Sequence, residues 1–301
     1  MNRKPLITMT IPPAIYRVSI NHALRMQGVS RAMRLRLRES GTIKVNERPA
    51  EWRTLLQGGD TLAVFSPVAT ETFTPWDGPL DICYEDEHLL VINKPTGLLM
   101  HPTATERFHT VANVLAYYFN ETNQESSSFH PVHRLDKDTS GLVIIAKNAM
   151  VQHAFTQVRH YTRKTYEALC QGYFPAPHCT VHWPIDRKPG SIIERHCSPS
   201  GKAARTDIEC LKRSKTCSHV RLLLHTGRTH QIRVHMAQLG YPLLGDDLYG
   251  GPTDRLTEQA LHAGGLQFVH PMTEKEIHVT APTPKSWEYI FQHCFSTATT
   301  L

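Results

Sequence analysis

The 301-residue chain has no apolar run that approaches the roughly 20 residues of a membrane-spanning helix. Its basic start, residues 1–17, holds only a short apolar stretch that two prolines break, and it lacks a cleavage site for a signal peptide. The seven cysteines are scattered, odd in number, and never spaced C-x-x-C. This usage argues against a disulfide framework or a zinc knuckle and is typical of a reducing compartment. We therefore expect a cytoplasmic protein with no membrane contact.

The sequence also lacks a Walker P-loop and a G-x-G-x-x-G loop, so nothing local supports nucleotide-driven or dinucleotide-dependent chemistry. Nineteen histidines invite a metal site. However, neither His230 with His235 nor the group His178, Cys179 and His182 matches the usual spacing of zinc ligands. We expect no metal.

Positive charge is what the sequence does have, and it is unevenly placed. The formal net charge is +6, and residues 16–65 alone hold nine basic and four acidic residues. Charge concentrated in this way favours a polyanionic partner such as nucleic acid. From charge alone, a solvated basic face without a partner is an equally good interpretation.

Residues 1–66 are predicted to hold a small unit, joined by a proline-containing linker over 67–79 to a larger unit over 80–301. Apolar spacing and turn residues predict two helices and two short strands in the small unit. In chain order these are a helix carrying Ile20, Ala23 and Leu24, an arginine-rich helix over 31–39, a strand over 43–45, a turn over 46–49 and a strand over 61–65.

The larger unit is predicted to be rich in strands with few helices between them. This pattern is typical of an α+β fold with a mixed, largely antiparallel sheet. The predicted strands cover 80–84, 88–93, 142–147, 165–172, 203–212, 219–225, 265–269 and 276–280, and the predicted helices cover 110–119, 149–159, 229–239 and 284–294.

Residues 133–148, HRLDKDTSGLVIIAKN, carry the densest chemical signal. A charged turn with Asp136 and Asp138 runs straight into an apolar strand, and turns braced by a sheet commonly hold catalytic groups. Ordinary turn chemistry is the alternative interpretation, because Asp, Ser, Thr and Gly all favour turns.

A second signal lies over residues 227–251, GRTHQIRVHMAQLGYPLLGDDLYGG. Arg228, His230, Arg233 and His235 crowd the first two turns of a predicted helix, where cations oppose the helix macrodipole. Basic groups in that position favour binding of an anion such as a phosphate or a carboxylate. Arginines that merely lie along the surface are the alternative.

Together with further segments in the same order, these two motifs resemble the RluA-type RNA pseudouridine synthases over residues 80–285. The resemblance implies the pseudouridine synthase fold and the isomerisation of uridine to pseudouridine within RNA, without metal or cofactor. The other segments that carry it are Tyr84–Pro102, Arg163–Gly172, Gly201–Glu209, Leu261–Pro271 and Ala281–Pro284.

By this resemblance Asp136 is the catalytic aspartate, Arg233 is the basic residue that pairs with it, and Tyr166 is the tyrosine of the site. Asp136 has two open routes, attack on the anomeric carbon or removal of a proton from the sugar. The tyrosine ring can stack on the extruded base, and its hydroxyl could assist removal of the proton from carbon.

A uridine in folded RNA must leave the base stack before it can react. The resemblance implies that Arg134 takes the place of the flipped base. His133 is expected to support the turn that carries Asp136, and a hydrogen-bonded buried histidine is an equally good interpretation. Lys137 and Arg228 are expected to contact phosphates, as Lys and Arg generally do.

Residues 16–65 resemble in outline the small RNA-binding domain that the RluD-like branch shares with a ribosomal small-subunit protein. The usual Arg-Leu-Asp opening is replaced by Tyr16–Ser19. Arg31, Arg34 and Arg38 on the second helix are its expected RNA contacts. The domain favours large-subunit ribosomal RNA as substrate, with transfer RNA as the alternative, and a monomer is the default.

Two rival functions were weighed. A non-catalytic RNA-binding protein on this fold would keep the basic N-terminus but lose Asp136, Tyr166 or Arg233, and all three are present. A carboxylate hydrolase acting on a glycoside or nucleoside would need two carboxyl groups, for instance Asp136 and Asp246. It would leave the basic N-terminal unit unexplained, and it would release free uracil from a uridine.

Overall fold

A computed structural model describes residues 5–29, 31–65, 73–124, 128–155 and 162–295. Within these ranges no helix is long and apolar enough to cross a membrane. The strands are β1 Ile7–Thr10, β2 Val18–Ser19, β3 Thr42–Val45, β4 Arg48–Ala50, β5 Leu55–Leu56, β6 Thr61–Phe65, β7 Ile82–Glu85, β8 Leu89–Lys94, β9 His130–Pro131, β10 Ser140–Ala146, β11 Thr162–Gln171, β12 His178–Val181, β13 Ile185–Arg187, β14 Arg195–Cys197, β15 Thr206–Arg213, β16 Cys217–Leu224, β17 Leu261–Val269 and β18 Glu276–Thr280. The helices are α1 Ile20–Met26, α2 Arg31–Ser40, α3 Val111–Glu121, α4 Ala149–Ala154, α5 Gln231–Gln238 and α6 Glu288–Phe295.

The N-terminal unit is a four-stranded antiparallel sheet in the order β1-β6-β3-β4, with α1 and α2 against it. Leu24, Leu37 and Leu62 are fully buried in its core. The turn predicted over 46–49 is tighter than expected. Asn46 and Glu47 both have positive φ, 49° and 66°, and make a two-residue hairpin turn before β4.

The catalytic-side unit, residues 73–295, is built on a ten-stranded sheet in the order β12-β15-β16-β11-β17-β10-β8-β7, with β18 beside β17 and β9 beside β10. Among these strands β10 and β17 run parallel and the other pairs are antiparallel. The predicted α+β class with a largely antiparallel sheet is therefore confirmed.

Strand β10 lies at the centre of this unit, and all seven of its residues are buried. Val143 and Ile145 pack into the core on one face of the sheet, while Leu142 and Ile144 pack into the core on the other. A strand covered on both faces reads as a continuous apolar run, which is why it was predictable. Its first residue follows directly from the charged turn that carries Asp136.

The structure describes only part of two predicted segments, the linker 67–79 and the helix 149–159. Part of the predicted linker, residues 73–79, lies on the catalytic-side unit: the Trp76 N–H donates to the Asn113 carbonyl at 3.1 Å, and the Asn113 amide donates to the Thr74 carbonyl at 2.8 Å. Residues 67–72 lie outside the described ranges. Helix α4 covers Ala149–Ala154. Residues 156–159 of the predicted helix 149–159 also lie outside the described ranges.

Candidate active site

The turn over residues 133–139 is fixed on both sides of Asp136. Leu135 is buried in the main core, and the Thr139 N–H donates to the Asp136 carbonyl at 3.2 Å. The Gln259 amide donates to the Thr139 hydroxyl at 2.6 Å. These contacts tie the turn to the segment that leads into β17, so the Asp136 side chain leaves a rigid backbone.

Gly141 allows β10 to approach β17 closely. Its φ is +111°, and a Cβ there would lie 2.4 Å from the Ala263 carbonyl oxygen and 2.5 Å from the Ala263 nitrogen. No L side chain fits this position without moving a strand. The glycine of the HRLDKDTSG motif therefore sets how near the catalytic turn comes to β17.

Lys94, at the end of β8, is fully buried beneath the same turn. Its ammonium donates to the carbonyl oxygens of Pro95 at 2.7 Å, Leu98 at 2.9 Å and Lys137 at 2.8 Å. Burial lowers the pKa of Lys94 to about 7, against the opposing pull of Asp138 and Asp136. Three acceptors use all three protons of the charged form. Lys94 thus braces the turn from below, a role that the sequence analysis missed; its signal is a lysine closing an otherwise apolar strand.

Asp136 faces a cleft of about 370 Å³ between the start of β11 and the loop before α5. Tyr166 on β11 lies in the cleft wall and is buried, with 6% of its surface exposed. Burial, and then the charge of Asp136, raise the pKa of the Tyr166 hydroxyl, so the phenol is protonated at neutral pH.

Arg233 lies between two carboxylates and is held mainly by Asp246. Its Nε and Nη2 donate to the two oxygens of Asp246 at 2.8 and 2.7 Å, and its guanidinium lies 4.9 Å from the centre of the Tyr249 ring. Nη1 is 3.9 Å from Asp136 Oδ2. Although burial acts to lower it, the paired carboxylate of Asp246 raises the pKa of Arg233. Arg233 is therefore a fixed cation that faces Asp136.

The contacts of Asp246 also bear on the hydrolase alternative, in which Asp246 would be the second reacting carboxylate. Asp246 is 1% exposed, and both of its oxygens accept from Arg233. Both oxygens of Asp246 contact the guanidinium, and Asp246 is not among the described residues that line the cleft. From the sequence, Asp246 is expected only as the second carboxylate of a hydrolase. Its pairing with Arg233 was not predicted, because that pairing depends on the loop after α5 folding back onto the helix.

His230, just before α5, is a second group that sequence reasoning did not assign to the site. Its backbone is left-handed, with φ of 56°, and its Nε2 lies 3.8 Å from Asp136 Oδ2. Its Nδ1 shares a hydrogen bond of 2.8 Å with the Tyr249 hydroxyl. Burial lowers the pKa of His230, and Asp136 opposes that change. A strained non-glycine residue at a cleft is typical of functional sites.

Three of the residues expected to contact RNA line the cleft: His133, Arg134 and Arg228. Arg134 is exposed at the cleft, and the Arg228 Nε donates to the Ala203 carbonyl at 2.9 Å. His133 Nε2 accepts from the Ile144 N–H at 3.3 Å, and burial lowers the pKa of its ring well below the ordinary value. The Lys137 side chain is exposed beside the turn.

The other predicted RNA contacts lie on α2 of the N-terminal unit. Arg31 and Arg38 are exposed, whereas Arg34 is half-buried. Arg34 Nε donates to the Asn21 side-chain oxygen at 2.9 Å, and its Nη1 donates to the Val29 carbonyl. Arg34 therefore ties α2 to α1, which leaves Arg31 and Arg38 as the side chains of this set that face solvent.

The chain was compared with families of known proteins. The family model described as RNA pseudouridylate synthase matches residues 88–238, a range that holds Asp136, Tyr166 and Arg233. The chain is 38% identical over 259 residues to the Bacillus subtilis protein called uncharacterized RNA pseudouridine synthase YhcT, with 84% of this chain and 85% of that protein covered. It is 39% identical over 260 residues to ribosomal large subunit pseudouridine synthase D of Escherichia coli K12, with 80% and 78% covered.

Solved structures give the same result for the fold. Human RNA pseudouridylate synthase domain containing 1 has a TM-score of 0.57 and 28% identity, with 71% of this chain and 87% of that chain covered. Human RNA pseudouridylate synthase domain containing 4 has a TM-score of 0.57 at 23% identity, with 70% and 92% covered, and shows likeness of fold.

Proposed function

Because this chain belongs to the RNA pseudouridine synthase family and is an isomerase of that class, we propose that it forms pseudouridine in large-subunit ribosomal RNA, with Asp136 as its catalytic carboxylate. The observation that carries the proposal is the placement of Asp136 in the cleft, 3.9 Å from a cation that Asp246 holds in place. Either route for Asp136 begins from a carboxylate that faces the substrate, and Arg233 is the fixed cation beside it.

The reaction moves the ribose from N1 to C5 of the same uracil. The N1–C1′ bond breaks, the base turns, a C5–C1′ bond forms, and the proton lost from C5 is balanced by one gained at N1. Asp136 acts either by attack on C1′ or by taking a proton from the sugar, and no leaving alcohol needs a second acid. In either route Arg233 is the fixed cation that faces Asp136, with Nη1 3.9 Å from Oδ2.

Tyr166 is proposed to form the wall against which the extruded base lies. Its ring faces the cleft, and base–aromatic stacking stabilises unstacked nucleotides in protein sites. The raised pKa of its hydroxyl disfavours a phenolate base. The structure therefore favours Tyr166 as a stacking and proton-donating group over one that removes the C5 proton as an anion.

Extrusion of the base costs a few kcal/mol of stacking and pairing. Arg134, exposed where the turn meets the cleft, is proposed to occupy the gap left in the RNA, and His133 to support the turn behind it. Lys137 and Arg228 are proposed as phosphate contacts beside the flipped nucleotide.

The choice of large-subunit ribosomal RNA rests on two observations. One relative at 39% identity is named for action on that subunit. The basic N-terminal unit, with Arg31 and Arg38 exposed on α2, is proposed to be a small RNA-binding domain of the kind found in that branch.

The test is a reaction of the purified chain with transcribed large-subunit ribosomal RNA and, separately, with transfer RNA. Pseudouridine is measured by mass spectrometry of nucleosides, and free uracil is measured in the same sample. We expect pseudouridine in ribosomal RNA of unchanged length and no uracil. Asp136→Asn should lose at least about 1000-fold in rate, within the range for removal of a catalytic group.

Asp138→Asn is the matched control, since it removes the other carboxylate of the turn, and it should keep most of the activity. Release of uracil would show a hydrolase instead. Absence of any product with both RNA classes would show a binding protein on this fold, and product in transfer RNA alone would contradict the proposed substrate.

A further inference from the structure

A second cleft, here called the hairpin cleft, adjoins the catalytic one. It has a volume of about 340 Å³ and lies between the β13–β14 hairpin and the loop Gly227–Thr229, which also lines the catalytic cleft. It is lined by one acidic residue, Asp186, and by four basic residues: Arg187, Arg195, Lys202 and Arg228.

The four cations have no acidic partner among the described residues. The one acid, Asp186, uses its Oδ1 to accept the backbone N–H of Arg187 at 2.7 Å. Elsewhere in the same hairpin charges are paired, since Lys188 and Glu194 are 2.9 Å apart. Within the hairpin, the arginines without an acidic partner are therefore the two that line the cleft.

The hairpin also places two of these cations against each other. Arg187 and Arg195 are directly opposite across the β13–β14 ladder. Like charges at directly opposed positions destabilise an antiparallel pair. An anion bound between them would remove that repulsion, so the opposed arginines favour anion binding.

The cleft is coupled to the catalytic centre by short contacts. The Arg195 N–H donates to the Tyr249 hydroxyl at 2.9 Å, and that hydroxyl contacts His230, which faces Asp136. Paired backbone hydrogen bonds of 2.9 Å between Ile185 and Lys202 hold Lys202 beside the hairpin.

We propose that the hairpin cleft binds a phosphodiester of the same RNA strand that carries the target uridine, next to the nucleotide in the catalytic cleft. The proposal rests on the proposed function. Phosphate oxygens are the acceptors that arginine forks and lysine match. Arg187, Lys202 and Arg228 are exposed on an open surface that continues into the catalytic cleft, which suits a polymer backbone better than a small enclosed anion.

The experiment measures binding of a labelled transcript of large-subunit ribosomal RNA at several salt concentrations, with the full chain carrying Asp136→Asn so that no turnover occurs. The test variant carries Arg187→Gln and Lys202→Gln together in this Asp136→Asn background. Each lost phosphate contact on a single strand lowers the salt slope by about 0.7, so we expect a fall of about 1.4 and an affinity about tenfold weaker at physiological salt. The matched control, Lys215→Gln with Lys275→Gln, removes two exposed charges outside both clefts and should change neither quantity.

A melting measurement and a charge-keeping variant distinguish a lost RNA contact from a folding defect. Removal of Arg187 relieves its repulsion with Arg195, so the melting temperature should stay the same or rise while affinity falls. The charge-keeping pair Arg187→Lys with Lys202→Arg should retain affinity. Unchanged affinity and slope in the glutamine variant, or equal loss in the charge-keeping variant, would overturn the proposal. Because binding is measured without turnover, this result is independent of whether pseudouridine forms in the assay described above.

Discussion

Arg233 contacts two carboxylates unequally, and the difference assigns their roles. The hydrogen-bonded pair with Asp246 is buried and bidentate, whereas Asp136 stands 3.9 Å away with room for a substrate. Under the proposed function, Asp246 positions the Arg233 cation and Asp136 is the carboxylate on which it acts. The motifs singled out Asp136, Tyr166 and Arg233 as candidates, and all three line one cleft in the structure. The pairing of Arg233 with Asp246 was not predicted, since local spacing carries no information on which acid the guanidinium contacts.

Asp246→Asn should damage both stability and turnover. Breaking a buried ion pair by removing one partner costs about 3–5 kcal/mol, measurable as a lower free energy of unfolding in urea. Loss of the bidentate hold also lets the guanidinium shift, and a displacement of about 1 Å can cost about 100-fold in kcat. The neighbouring exposed acid provides the control: Asp247→Asn should leave both values nearly unchanged. Full activity of Asp246→Asn would refute the positioning role.

Lys164, on β11 in the cleft wall, should give RNA binding a pH dependence. Burial lowers the pKa of Lys164 to about 8, and the ring that faces it, His133, has its own pKa lowered by burial and by Lys164. Below pH 8 Lys164 is charged and attracts RNA; as the pH rises through 8 it loses that charge. Affinity should therefore fall by a few-fold between pH 7 and 9, the size of one lost phosphate contact.

Lys164→Arg keeps a positive charge at this position across the range, so its affinity should fall less than that of the wild type. Titrations of both proteins at constant ionic strength make the comparison. Identical pH profiles for the two would show that Lys164 does not meet the RNA.

Among the elements, β10 and β17 decide where the catalytic turn lies. Their parallel contact is limited to Ser140 with His262 and Gly141 with Ala263. The close approach at Gly141 leaves no volume for a side chain.

Gly141→Ala should therefore destabilise the fold by about 3 kcal/mol or more, since it adds a clash to a strained φ. Gly264→Ala on β17 is the control, because its Cβ would meet its nearest neighbour at 3.4 Å and its φ is ordinary. Thermal melting of the two variants checks this. A Gly141→Ala protein as stable as Gly264→Ala would contradict the packing described here.

The elements differ in how far the sequence predicts them. Strand β18 was predicted at its observed bounds and β10 within two residues, because burial on one or both faces leaves a clear apolar pattern. The short strands β12, β13 and β14 were missed, since each is only three or four residues long and none contains a run of buried apolar residues. The order of strands was beyond reach, because the β10–β17 pair joins residues about 120 positions apart.

For the whole molecule, basic charge is found at two separate places, the clefts of the catalytic-side unit and helix α2 of the N-terminal unit. The sequence predicted the basic charge of the N-terminal unit, but from charge alone a solvated face without a partner was an equally good interpretation. The structure narrows the α2 set, because Arg34 is engaged with Asn21 and Val29 while Arg31 and Arg38 are exposed.

Charge reversal of Arg31 and Arg38 to Glu should weaken RNA affinity and reduce the salt slope, since two phosphate contacts are replaced by repulsion. The turnover rate at saturating RNA should not change, because α2 is not part of the catalytic cleft. Reversal of Arg48 and Arg53, exposed in the same unit, is the matched control and should have the smaller effect. Equal effects of the two pairs would mean that net charge matters and α2 does not.

The most direct test of the account is pseudouridine mapping of ribosomal and transfer RNA from cells that lack this protein, complemented with wild type, Asp136→Asn or Asp138→Asn. We predict that one or a few sites in large-subunit ribosomal RNA disappear, return with wild type and with Asp138→Asn, and stay absent with Asp136→Asn. Restoration of those sites by a folded Asp136→Asn protein would contradict the central claim that Asp136 carries the reaction.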